Sequence, residues 1–127
     1  KKRGLKKGQQ FATLTDLITK TWSGKSTKEY KILKGLKKEN LRDNMTNTEL
    51  ILNMLAEAST TDISKAVKPN TFKDNAKVAK QGGNVAKVAL NELESRTGKK
   101  VVTSLNAKSF LEIKSKEIKK SEDKEDE

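Results

Sequence analysis

Between Phe72 and Leu93, the residues Phe72, Ala76, Ala79, Gly83, Ala86, Leu90 and Leu93 recur at alternating steps of four and three. That spacing holds one stripe of small and apolar groups on one side of an α-helix, whereas a strand would alternate every second residue. A second track, Val78, Gly82, Val85 and Ala89, runs beside it, and Lys73, Lys77, Lys80, Asn84, Lys87, Asn91 and Glu94 form the outward stripe. The spacing predicts one helix from Thr71 to Thr97, ended by Gly98. Gly82 and Gly83 each cost a helix about 1 kcal/mol relative to alanine. Their place among inward alanines points to close approach by another helix; a kink at 82–83, or two shorter helices, is the alternative.

A helix with one sticky side needs partners, and capping signals place them. Thr46-Asn47-Thr48-Glu49 is a capping box. It opens the most apolar run in the chain, Leu50, Ile51, Leu52, Met54, Leu55 and Ala56, which predicts a helix over 47–58 buried on most of its circumference. Ile63 and Val67 allow it to continue, against a Ser59-Thr60-Thr61 run that favours a break, until Pro69 forbids further helix. Thr13-Leu14-Thr15-Asp16 resembles another box, followed by Leu14, Leu17, Ile18, Thr21 and Trp22 on one face of a helix over 14–22. Ser26-Thr27-Lys28-Glu29 opens a short helix with Tyr30 and Leu33 inward and Gly35 at its end. After Gly98, Val101, Val102 and Leu105 are expected to run extended and dock, with Asn106 capping a last helix through Phe110, Leu111 and Ile113. The fold class expected is all-α, a small bundle of about four to five helices. A basic arm is expected over 1–12, the helical domain over 13–113 and a charged, disordered tail over 114–127.

Gly24-Lys25-Ser26 raises the question of a phosphate-binding loop. Such a loop needs a glycine five positions before the Gly-Lys-Ser glycine and a strand leading into it. The position is Thr19 and the preceding residues read as helix, so both requirements fail. Gly24 instead suits a left-handed residue past a helix end, and Ser26 an N-cap.

The 127 residues contain no cysteine and no histidine, which removes disulfides, thiolate nucleophiles, imidazole bases and the usual zinc ligands. Asp43 and Glu39 flank a short turn with no third catalytic group beside them, so no enzyme, cofactor, metal or small-molecule substrate is expected. No apolar run reaches the length needed to cross a bilayer, which points to a cytoplasmic chain without a membrane partner.

The formal charge of +11 is concentrated at the front. Residues 1 to 38 carry 12 Lys and Arg against Asp16 and Glu29, a net of +10, leaving +1 for the rest. Such a segment favours polyanions, nucleic acid first. The residues expected to touch it are Lys1, Lys2, Arg3, Lys6, Lys7, Lys25, Lys28, Lys31, Lys34, Lys37 and Lys38. The outward lysines of the 71–97 helix are either a solvated face or a row of phosphate contacts. Base stacking is not expected, because Trp22, Tyr30 and the three phenylalanines read as core or docking residues. A helix-turn-helix over 14–34 is conceivable, without a turn signature that compels it.

The segments "KGLKKENLRDNMTNTELILNMLAEASTTDISK" (34–65) and "AKQGGNVAKVALNELESRTGKKVVTSLNAKSF" (79–110) resemble the C-terminal region of the DNA-damage-inducible protein D family. The LKK, D-x-MT-x-TEL-x-x-N and RTGKKVV-x-x-LNAK patterns carry the resemblance. Those proteins are similar to phage antirepressors with a BRO-type N-terminal domain. The resemblance implies a regulator of DNA transactions in the bacterial damage response, with DNA or a DNA-bound recombination protein as partner, and no catalytic residue. The 33 residues before Lys34 are too few for a BRO-type domain, so a truncated or split member is expected. The alternative function is a helical protein-protein interaction or oligomerisation module, motivated by the small-residue track at Gly82 and Gly83.

Overall fold

The computed structural model describes residues 8–109, and those residues form an all-α fold. Its elements are α1 (Gln9–Ser23), α2 (Thr27–Leu33), a 3-10 turn (Arg42–Asn44), α3 (Asn47–Val67) and α4 (Phe72–Thr97). The tail over 114–127 and the last helical residues Phe110, Leu111 and Ile113 lie outside the described residues.

α4 is the axis of the molecule and is continuous through both glycines. A Cβ on Gly82 would stand 1.9 Å from Thr60 Oγ1 on α3, and one on Gly83 would stand 2.7 Å from Thr21 Cβ on α1. Two successive glycines, about 100° apart around the helix, therefore admit two different neighbours at backbone distance. The small-residue track is used within this chain.

α3 begins at the foreseen capping box, with the Thr46 hydroxyl accepting from Glu49 N and the Glu49 carboxylate accepting from Thr46 N. It does not break at 59–61. The Thr60 and Thr61 hydroxyls donate back to the carbonyls of Ala56 and Glu57, so the polar run bonds along the helix. Pro69 stops it as expected: α3 ends at Val67, with Lys68 turned into the left-handed region at φ 55°. The expectation of burial on most of the circumference needs correction. Glu49, Leu52, Asn53 and Ala56 face inward, whereas Ile51, Met54 and Leu55 are exposed. Helices pack against α3 on one side only, so its second apolar face has no cover among the described residues.

α1 opens four residues earlier than the Thr13 signal and inside the stretch assigned to the arm. Thr13 sits mid-helix with its hydroxyl donating to Gln9 O, and Asp16, rather than completing a capping box, accepts from Thr27 N at the start of α2. Gly24 ends α1 at φ 80°, and Ser26 and Glu29 form the second box. The bonds from Ser26, its backbone N–H first, hold the exposed Glu29 carboxyl below its usual range. Trp22 and Tyr30 are fully buried and meet edge to face with ring centroids 6.2 Å apart. Around them, Ile18, Leu36, Leu41, Leu52, Ala56, Ala79, Ala86 and Leu90 complete the core. Of the phenylalanines, Phe72 is half-buried, Phe110 lies outside the described residues, and Phe11 is 56% exposed, contrary to the expectation of a core or docking residue.

Among the described residues beyond Gly98 no strand forms. Val101 and Val102 pack on the core, Val101 N donates to Glu94 on α4, and Asn106 accepts from Ser109 N as the cap foreseen.

Candidate nucleic-acid interface

α1, α2, the turn over 39–45 and α3 border a cleft of about 280 Å³ with mixed walls, in which Leu41 and Met45 supply apolar surface. Thr15 and Thr19 come from α1, Lys31 from α2, Asn40 and Arg42 from the turn, and Asn53 and Glu57 from α3. A second, open cleft shares Thr15, Thr27 and Lys31 with it and extends along α1 past Thr13 to Gln9, with Lys28 on its wall. The two adjoin at Thr15, Thr27 and Lys31, and the walls of this groove combine hydroxyls and cations with the carboxylates of Asp16 and Glu57 and with apolar surface. Hydroxyls and cations of this kind are frequent partners of the sugar-phosphate backbone of nucleic acids.

The local causes are readable. Asp16 fastens the first turn of α2 to α1, which presents Lys28 and Lys31 on the groove side. Arg42 is held by Glu57 through contacts of 3.0 and 3.2 Å, an exposed bidentate pair that neutralises both. No carboxylate lies within ion-pair reach of Lys31 among the described residues.

Of the residues expected to touch nucleic acid, Lys1, Lys2, Arg3, Lys6 and Lys7 lie outside the described residues. Lys28 and Lys31 belong to the groove. Lys25 is half-buried in the α1–α2 turn, where its backbone bonds with the Ser23 hydroxyl. Lys37 and Lys38 are exposed, and their amides donate to Glu39, which holds that carboxyl below its usual range.

Lys34 is a correction. It is 1% exposed, its ammonium 2.5 Å from Glu49 Oε1 and 2.5 Å from the carbonyl of Leu105. Tyr30 donates its hydroxyl to the other oxygen of Glu49. A charge this deeply buried has to be paired, and Lys34 offers nothing to a phosphate. Its periodic place among surface lysines gave no warning; Glu49 serves both as a helix cap and as its counter-ion, a pairing 15 residues apart.

Sequence reasoning did not select Arg42, Asn53 or the threonines Thr15, Thr19 and Thr27. Asn53 was the one with a signal, an amide inside the most apolar run of the chain. The outward lysines of α4 are exposed, face neither α1 nor α3, and line no part of this groove. No metal-holding cluster of acidic residues occurs among the described residues, and no described helix is long and apolar enough to cross a membrane. Comparison with family models, curated proteins and solved structures finds no match for this chain.

Proposed function

We propose that this chain is a non-enzymatic regulatory protein of the bacterial or prophage DNA-damage response, acting in the cytoplasm. It binds DNA, or a DNA-bound recombination protein, through its basic N-terminal third. The carrying observation is the charge split, +10 in residues 1 to 38 against +1 in the remainder, with Lys28 and Lys31 gathered on one groove. The damage-response setting rests on the sequence resemblance alone. The non-enzymatic reading is supported by the engagement of the site's carboxylates: Asp16 accepts from Thr27 N at the start of α2, and Glu57 pairs with Arg42.

Contact is backbone-dominated, so affinity depends on salt. Fluorescence anisotropy with duplex and single-stranded DNA is expected to show binding whose log K falls with log[salt] by about 0.9 per duplex phosphate engaged. Deleting residues 1 to 7 and changing Lys25, Lys28 and Lys31 to Gln should flatten that slope. Absence of binding at low salt, or the same slope in the variant, removes the reading.

A protein-interaction module is the second reading, now on a different observation. Gly82 and Gly83 are occupied within the chain, but Ile51, Met54 and Leu55 on α3 and Val85 and Val88 on α4 are exposed. Light scattering that finds a monomer, joined with failure to bind a DNA-bound recombinase, speaks against it.

A further inference from the structure

Asn53 is 7% exposed and lines the cleft between α1, α2 and α3. Its Oδ1 accepts from Trp22 Nε1 at 3.2 Å. An indole N–H can only donate, so the amide oxygen is turned to the tryptophan and the NH₂ group away from it. Among the described residues no acceptor takes a hydrogen from that NH₂, yet no buried side-chain nitrogen or oxygen is both sealed from solvent and unpartnered. The Nδ2 group therefore keeps an opening to solvent, and the cleft that Asn53 lines supplies it. A donor that meets water only through such a cleft can exchange that water for an acceptor oxygen of a ligand.

The walls say what kind of ligand. Lys31 brings a cation without a carboxylate partner, while Arg42 and Glu57 cancel each other. Thr19 spends its hydroxyl hydrogen on Thr15 O, and Asp16 spends one oxygen on Thr27 N. The groups left to donate are the Asn53 amide and the Lys31 ammonium, with the Thr15 and Thr27 hydroxyls and the Asn40 NH₂ group beside them. They call for an anion with several acceptor oxygens.

We propose that this cleft is a phosphate subsite, in which one phosphate of a bound nucleic acid accepts from Asn53 Nδ2 and Lys31 Nζ. The proposal deepens the DNA-binding reading above and rests on it for the source of the phosphate. Trp22 is the only tryptophan and is bonded to Asn53, so its indole N–H reports on the cleft.

The test uses ¹⁵N-labelled full chain, titrated with a duplex oligonucleotide and separately with inorganic phosphate. Both titrations should shift the Asn53 side-chain NH₂ and the Trp22 indole resonances. Asn53→Asp keeps the oxygen that Trp22 uses and sets a carboxylate where the phosphate would sit; duplex affinity should fall roughly tenfold or more, since one charge-assisted bond is replaced by repulsion. Lys31→Gln, at a half-exposed position that does not threaten folding, should lower the salt slope by about 0.9. An unchanged far-UV spectrum certifies either variant as folded. Duplex that binds with the Asn53 resonances unmoved and the Lys31→Gln slope unchanged overturns the subsite and leaves the DNA-binding reading standing. Should duplex fail to bind at all, the DNA-binding reading falls; a phosphate-induced shift then retains the cleft as an anion site, and no shift ends it.

Discussion

Tyr30 shows how one side chain is set by what surrounds it. It is the only tyrosine, it is fully buried, and it donates to a carboxylate that also receives Lys34 Nζ and Thr46 N. Burial first, and then the hydrogen bond to Glu49, push its phenol far above the ordinary value. In the unfolded chain the same phenol ionises near pH 10. Its contribution to stability is therefore complete below about pH 10 and is lost above it, because the unfolded state releases a proton that the folded state keeps, at roughly 1.4 kcal/mol per pH unit. In an alkaline titration, tyrosinate absorbance should rise together with the loss of helical ellipticity. Tyrosinate forming while the helices persist would contradict the burial. Tyr30→Phe should flatten this part of the pH dependence while costing about 1.5–3 kcal/mol at neutral pH for the lost bond to a charged acceptor.

At the scale of the helix, α4 sets intrinsic propensity against packing. Gly82→Ala and Gly83→Ala each recover about 1 kcal/mol of helix propensity. Packing opposes that gain: the new methyl on residue 82 would meet Thr60 Oγ1 at 1.9 Å and Thr60 N at 2.6 Å, and that on 83 would meet Thr21 Cβ at 2.7 Å and Ile18 O at 3.1 Å. Backbone atoms cannot swing aside, so each substitution is expected to be net destabilising by about 1–3 kcal/mol in urea unfolding. A stabilised Gly82→Ala would mean that α3 does not approach so closely. α3 poses the complementary case, since its apolar run exceeds what its neighbours can cover. Hydrophobicity announced a helix there, but which side is covered depends on where α1 and α4 lie.

Across the whole molecule, Lys34 joins three distant parts of the chain. Its ammonium meets Glu49 on α3 and the carbonyl of Leu105, its own carbonyl accepts from Asn106 Nδ2, and Asn44 close by accepts from Ala107 N. These polar bonds fasten the far end of the segment after α4, beyond the contacts that Val101 and Val102 make with the core. Lys34→Met leaves Glu49 buried without its counter-ion, at a cost of about 3–5 kcal/mol. Hydrogen exchange should show the Ala107 amide losing protection in this variant before the amides of α3 and α4 do. Equal protection in both proteins would mean that Lys34 does not hold the segment.

Helix type, the two capping boxes, the stop at Pro69 and the ends of α4 were legible in the residues, because periodicity, caps and proline act within a few positions of the chain; whether α4 ran unbroken through Gly82 and Gly83 was not. The charge asymmetry was legible for the same reason, being a sum over sequence. What only the tertiary structure decided is which lysine is buried, which face of α3 stays open, that Asp16 serves α2, and that Asn53 turns its NH₂ into a cleft. Each depends on a partner 11 to 71 residues away, as in Asp16 with Thr27 and Lys34 with Leu105. Local pattern does not encode such meetings; they arise when α4, with no side chain at Gly82 and Gly83, lets two other helices close on it.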